Sequence, residues 1–178
     1  MEMNSWKCIR MIFFVVLMSA VITITGLRNA WAKEKESAFG KQIQGTYSLV
    51  SLTNVQDGKT SEPYGTDPMG SMILTANGRF VTFFMKNDIP KFAVNNRLKG
   101  TAEEYRAVAE GIYAGFGSYE VINGKEGRVK MHFDGNAFPN WTGTDQERVF
   151  TVTEDGLKQI TPQAAISGTN TIIWKRIK

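Results

Sequence analysis

The sequence predicts an all-β fold, an up-and-down antiparallel β-barrel of about eight strands with one inserted α-helix. Three observations lead there. Beyond Gly45, apolar and polar residues alternate with a period of two through most of the chain, as strands with one buried face do. The runs are punctuated by Asp57-Gly58, Asn77-Gly78, Asn123-Gly124, Asp155-Gly156 and Ser167-Gly168, pairs suited to tight turns. Only one segment, Thr101 to Tyr113, carries a helical period. Sequential antiparallel strands with short turns lose their exposed edges by closing, and a barrel of about eight has an interior that side chains fill or that holds one small ligand.

The first 32 residues read as a signal peptide. Lys7 and Arg10 form a basic start, Met11 to Ile24 is an apolar run, and Ala30-Trp31-Ala32 is a cleavage signal with cutting expected after Ala32. A retained anchor is the rival, but the run is shorter than the ~20 residues a spanning helix needs and is interrupted by Ser19, Thr23 and Thr25. No stable membrane insertion is expected after cleavage. The single cysteine, Cys8, precedes the apolar run, so it cannot begin a lipidated mature chain, and its removal leaves neither disulfides nor thiolate chemistry. The net charge of +4 is spread without runs, which gives no basic face for nucleic acid. Residues 33 to 43 read as a flexible lead-in and 44 to 178 as one domain, exported to the periplasm or secreted.

Taken in order, strands are expected at Thr46–Val55, Met69–Thr75, Arg79–Lys86, Ser118–Ile122, Arg128–Asp134, Arg148–Thr153, Leu157–Thr161 and Thr169–Ile177. Thr60 to Gly70, with two prolines and two glycines, is a structured loop whose one large side chain is Tyr64. Met72, Leu74, Phe80, Phe83 and Phe84 are too many apolar residues for a hairpin wetted on one face, which predicts that something covers its outside. Thr101-Ala102-Glu103-Glu104 is a capping box that starts the helix. Tyr105, Val108, Ala109, Ile112 and Tyr113 then form one apolar stripe, expected to cover a face or mouth of the sheet.

The connection His132 to Arg148 is where function is expected. Asp134-Gly135 and Pro139 end the preceding strand, and a loop of roughly ten residues between strands is more often a lid or rim than a plain connector. A self-packed loop anchored by Phe138 and Trp141 is the simpler alternative. His132 alternates with Arg128, Lys130 and Asp134, while Val129, Met131 and Phe133 share the other face. An inward apolar face makes His132 a solvated surface residue; an inward polar face would join it to Arg148 and Glu120 in a polar ligand site. One histidine without cysteine gives no zinc cage, no serine is spaced toward it for acyl transfer, and no glycine-rich loop leads from strand to helix as a phosphate cradle. No cofactor or metal is called for. Asn140-Trp141-Thr142 matches a glycosylation sequon by coincidence.

The opening Gly45-Thr46-Tyr47 resembles the G-x-W start of lipocalins and fatty-acid-binding proteins, with Tyr47 where tryptophan usually stands. More specific are Pro63-Tyr64-Gly65 with Pro68 and Gly70, Asn96-Arg97 through Gly100-Thr101 to Glu103-Glu104-Tyr105, Phe116-Gly117 with Tyr119, and Phe138-Pro139-Asn140-Trp141 with Gly143-Thr144-Asp145-Gln146. Together they resemble the bacterial and fungal lipocalin-like domain family from about Gly45 to Lys178. The resemblance implies a calycin-type barrel and carries over no catalytic motif. Arg176 would then stack on Tyr47 to close the barrel base.

These readings converge on an exported domain that binds a small, mainly apolar molecule in the barrel, with Tyr64, Trp141 and Arg148 at the mouth. Asn140, Glu120 and His132 complete the candidate ligand-binding residues. A cofactor-independent cyclase or isomerase using His132 or Glu120 as acid or base is the second reading. A filled barrel serving as an envelope interaction module is the third.

Overall fold

The computed structural model describes residues 38–177, so the predicted signal peptide and its cleavage site lie outside the described residues. A helical turn, α1, spans 38–43. The strands are β1 (Gly45–Gln56), β2 (Lys59–Ser61), β3 (Met69–Leu74), β4 (Arg79–Met85), β5 (Ile112–Asn123), β6 (Arg128–Asn136), β7 (Asp145–Val152), β8 (Gly156–Thr161) and β9 (Thr169–Arg176), with α2 (Ala102–Gly111) between β4 and β5. Each barrel strand is antiparallel to its neighbours, and β1 pairs with β9 from Tyr47↔Arg176 to Val55↔Thr169, closing the sheet. Eight strands ring the barrel; β2 is a flap on the far half of β1, where β3 no longer reaches.

The up-and-down order sorts the connections by end. Tight turns β3–β4, β5–β6 and β7–β8 lie at the base with α1. The connections 62–68, 86–101, 137–144 and 162–168 gather at the opposite mouth. Inward positions carry the alternating apolar set, among them Tyr47, Leu52, Met72, Phe80, Val129, Met131, Phe133, Phe150, Leu157, Ile172 and Trp174. The base is sealed by Tyr47, whose hydroxyl donates to the Ile43 carbonyl at 2.8 Å and whose ring lies 4.8 Å below the Arg176 guanidinium. Arg176 also donates to the carbonyls of Gln42 and Gln44, groups that the end of α1 leaves open. Tyrosine therefore serves where tryptophan was missing, since its ring offers the same face to the cation.

The structure corrects several expectations. Residues 38–43 are helical, with Ile43 fully buried and Phe39 packed on the core, where a flexible lead-in was expected. The predicted helix stops at Gly111, because Ile112 and Tyr113 pair with Met85 and Phe84 as the start of β5. Helix α2 does not cover the barrel: Tyr105 and most of its neighbours are exposed. It packs instead on the 86–100 connection, through Tyr105 against Phe92 at 5.6 Å and Glu104 accepting from the Ala93 amide at 2.7 Å. The Thr101 capping box is present as read. Nor is the outside of β3–β4 covered among the described residues, since Ile73, Val81, Phe83 and Phe116 are 41%, 52%, 42% and 50% exposed.

The Phe116-Gly117 motif has a structural cause. Asp134 is an extra residue in β6, so Gly117 pairs with Phe133 while Phe116 pairs with Gly135. A Cβ on Gly117 would lie 1.8 Å from the His132 carbonyl oxygen, and the Phe116 ring occupies the space over Gly135. The bulge bends β6 and aims Phe133 inward below the mouth.

Candidate functional site

A small cavity opens at the mouth end among Tyr64, Phe84, Tyr113, Phe133 and Trp141, with Thr82, Gln159, Thr161 and Asn170 as its polar lining and Ala165 and Ile166 from the 162–168 loop at its rim. Its volume is about 30 Å³, room for roughly two waters at 10–15 Å³ each. The rings form a continuous wall. Tyr64 meets Phe84 edge-on at 4.8 Å, Phe84 stacks on Tyr113 at 4.6 Å, and Trp141 touches Tyr113, Phe133 and Phe138 at 6.0, 5.7 and 6.0 Å.

The loop holds Trp141 there by its own geometry. Pro139 begins a 3-10 turn, Pro139–Trp141, in which the Trp141 amide donates to Phe138. Thr144 returns its hydroxyl to the Trp141 carbonyl at 2.8 Å, and Gly143, at a φ of +76°, donates to the Phe133 carbonyl. Anchor and cavity wall are thus the same residue.

Arg148 is the unusual side chain. It is 3% exposed, and the register that pairs it with Val129 turns it inward. Its guanidinium lies 5.1 Å from the Trp141 ring and 5.9 Å from Phe133. One Nη donates to the Glu147 carbonyl at 2.7 Å, and the Tyr113 hydroxyl, which also accepts from Asn136, faces it. Burial pushes the guanidinium below its ordinary value, partly opposed by Tyr113. Arginine still keeps its proton at neutral pH. None of the ion pairs among the described residues includes it.

The polar lining, by contrast, is internally satisfied. The Trp174 indole donates to Gln159 at 2.9 Å, Gln159 donates to Thr161 at 3.2 Å, and Asn54 donates to Asn170 at 2.7 Å. Among the described residues no fully buried side-chain nitrogen or oxygen lacks a partner.

Of the residues the sequence proposed, the structure brings Tyr64, Trp141 and Arg148 together around the cavity. Glu120 and His132 sit elsewhere. The apolar face of β6 points inward, so His132 lies on the outer wall, its Nδ1 2.7 Å from Asp145 and Nε2 3.8 Å from Asp134. Glu120 pairs there with Lys130, beside Arg79–Asp134 at 2.6 Å and Arg128–Glu147 at 2.7 Å. This is a ladder of solvated ion pairs, each worth at most about 1 kcal/mol. Asn140 is exposed at the loop tip and does not line the cavity. Phe84, Tyr113, Gln159, Thr161 and Asn170 were missed. For the last three a signal existed: polar residues on the inward face of β8 and β9, all at the mouth end.

The cavity tyrosines predict an alkaline limit to stability. Burial pushes the Tyr64 phenol up to about 12, and raises Tyr113 against the opposing effects of Asn136 and Arg148. A phenol whose folded value lies above its unfolded value of ~10 stays protonated while the unfolded chain ionises. Its contribution is complete below pH ~10 and is lost as pH rises toward about 12. The melting midpoint should fall across that window, with the tyrosinate absorbance of the buried phenols appearing only on unfolding. A flat midpoint there would contradict the burial of Tyr64 and Tyr113.

Among the described residues no group of three or more His, Cys, Asp or Glu side chains could hold a metal ion, and no helix is long and apolar enough to cross a membrane. No curated protein matches the chain. A family model described as the lipocalin-like domain matches residues 44–177, the whole barrel from the residue before β1 to the residue after β9. With its closed up-and-down sheet and its loops gathered over one end, the chain belongs to the lipocalin-like domain family, whose barrel is generally a small-molecule-binding fold.

Proposed function

We propose that this is an exported domain, periplasmic or secreted, that binds a small, mainly apolar molecule at the mouth of the barrel. The observation that carries the reading is the aromatic wall from Tyr64 to Trp141 around a cavity under the mouth loops. A ligand needs more room than about 30 Å³, so it enters when the loops carrying Trp141 and Ile166 part. Export rests on the basic start, apolar run and Ala30-Trp31-Ala32 signal.

The enzyme reading loses its named groups, since among the described residues neither an imidazole nor a carboxylate lines the cavity and His132 and Glu120 face solvent. The small volume favours the filled-barrel interaction module as the second reading.

Two measurements test the proposal together. N-terminal sequencing of exported material should begin at Lys33. That material should bind the neutral fluorescent probe N-phenyl-1-naphthylamine saturably at one site, and Trp141→Ala should weaken binding roughly tenfold. Half-buried Trp141 should lose less stability on truncation than the ~3–5 kcal/mol of a buried tryptophan. Unsaturable probe binding, or affinity per folded molecule unchanged in Trp141→Ala, would leave the filled barrel as the better account.

A further inference from the structure

We infer that the ligand of this cavity carries a single negative charge, a carboxylate head that pairs with Arg148 while its apolar body lies against the aromatic wall; this rests on the cavity being a ligand site. The argument starts from Arg148. A charge taken out of water is strongly unfavourable unless an opposite charge or dense hydrogen bonding replaces its hydration. Here the side chain is 3% exposed, enters no ion pair among the described residues, and donates to one carbonyl, that of Glu147, with the Tyr113 hydroxyl facing it. A guanidinium offers five N–H donors in a planar fork, so most remain for something in the cavity.

The space beside it fits that purpose. The cavity's about 30 Å³ holds roughly two waters, and the two oxygens of a carboxylate can take their places in a bidentate pair. The charge of the site selects a monoanion. Among the described residues Arg148 is the only charged one lining the cavity, so a dianion such as a phosphate monoester would bring one charge in without a counter-ion. A neutral ligand would leave the arginine as it stands. Trp141 and Phe133 flank the guanidinium, which holds its plane and keeps bulk water from competing for it.

Decanoate against decan-1-ol, and 2-naphthoate against 2-naphthalenemethanol, test this as competitors of N-phenyl-1-naphthylamine. In at least one pair the acid should displace the probe at a concentration at least tenfold lower than its alcohol, the effect of one charge-assisted pair. Arg148→Met should abolish that preference, and Arg148→Lys should keep part of it. Equal potency of acid and alcohol in both pairs would overturn the inference while leaving the cavity reading intact, as would a preference that persists in Arg148→Met. A probe that never binds saturably overturns both. Should Arg148→Met fail to fold, the wild-type comparison of acid with alcohol still decides.

Discussion

Trp174→Ala should lower the melting midpoint by roughly 10–20 °C, the expected consequence of losing about 3–5 kcal/mol from a domain of this size. Trp174 is 1% exposed and stands in β9 between Leu49 of β1 and Leu157 of β8, so it packs on both sides of the seam that closes the barrel. Its truncation leaves a hole at a place where two chain ends meet. It also removes the donor to Gln159 Oε1, leaving a buried acceptor unpaired in the cavity lining. Trp174→Phe separates the two losses: it keeps most of the packed ring and should cost only the ~1–3 kcal/mol of the orphaned amide oxygen. Thermal unfolding of both variants measures the difference. An alanine variant within about 1 kcal/mol of wild type would mean that the seam is held elsewhere.

Arg148→Met should act in the opposite direction and stabilise the free protein by about 1–4 kcal/mol, the range found when buried ion pairs are replaced by apolar side chains of similar volume. Methionine can fill the same channel between Trp141 and Phe133, and Tyr113 keeps its bond from Asn136. What the folded state no longer bears is the desolvation of the guanidinium. Stacking on two rings offsets part of that penalty, each contact contributing about 2 kcal/mol or more when desolvated. Chemical denaturation without ligand provides the check. If Arg148→Met is instead less stable by more than about 1 kcal/mol, the arginine is a structural bracket for the Trp141 loop. A residue retained at a cost to stability is what selection for binding would leave behind.

The sheet was legible because alternation and turn pairs are local properties. Val129, Met131 and Phe133 against Arg128, Lys130 and His132 separated the two faces of β6 but left open which one turns inward, and Asn77-Gly78 and Asp155-Gly156 gave the turns at which two hairpins bend. The helix end was not legible, because Ile112 and Tyr113 fit a helical stripe by spacing and a strand by composition; pairing with Met85 and Phe84 decided between them. The outer cover was inferred from an apolar count, and a count cannot tell that Phe83 points out while Phe84 points in. Helix α1 is too short for a period to show, although Phe39 and Ile43 stand one turn apart on what proves to be its buried side. Arg148 was found by its place beside the loop, but its burial follows from the β6–β7 register, which no local pattern states.

The seam between β1 and β9 has a consequence for how the molecule assembles. Every other barrel contact joins strands that are neighbours or near neighbours in sequence, and can form by successive hairpins as the chain collapses. The seam alone joins residues such as Tyr47 and Arg176, across nearly the whole domain, and the cation that seals the base arrives on the last strand. Closing that long a loop should be the slow step in folding, because its entropy must be lost before any seam contact compensates. Until then the edges of β1 and β9 stand open with Trp174 and Leu52 uncovered, so the open sheet is the species most exposed to pairing with another copy of itself.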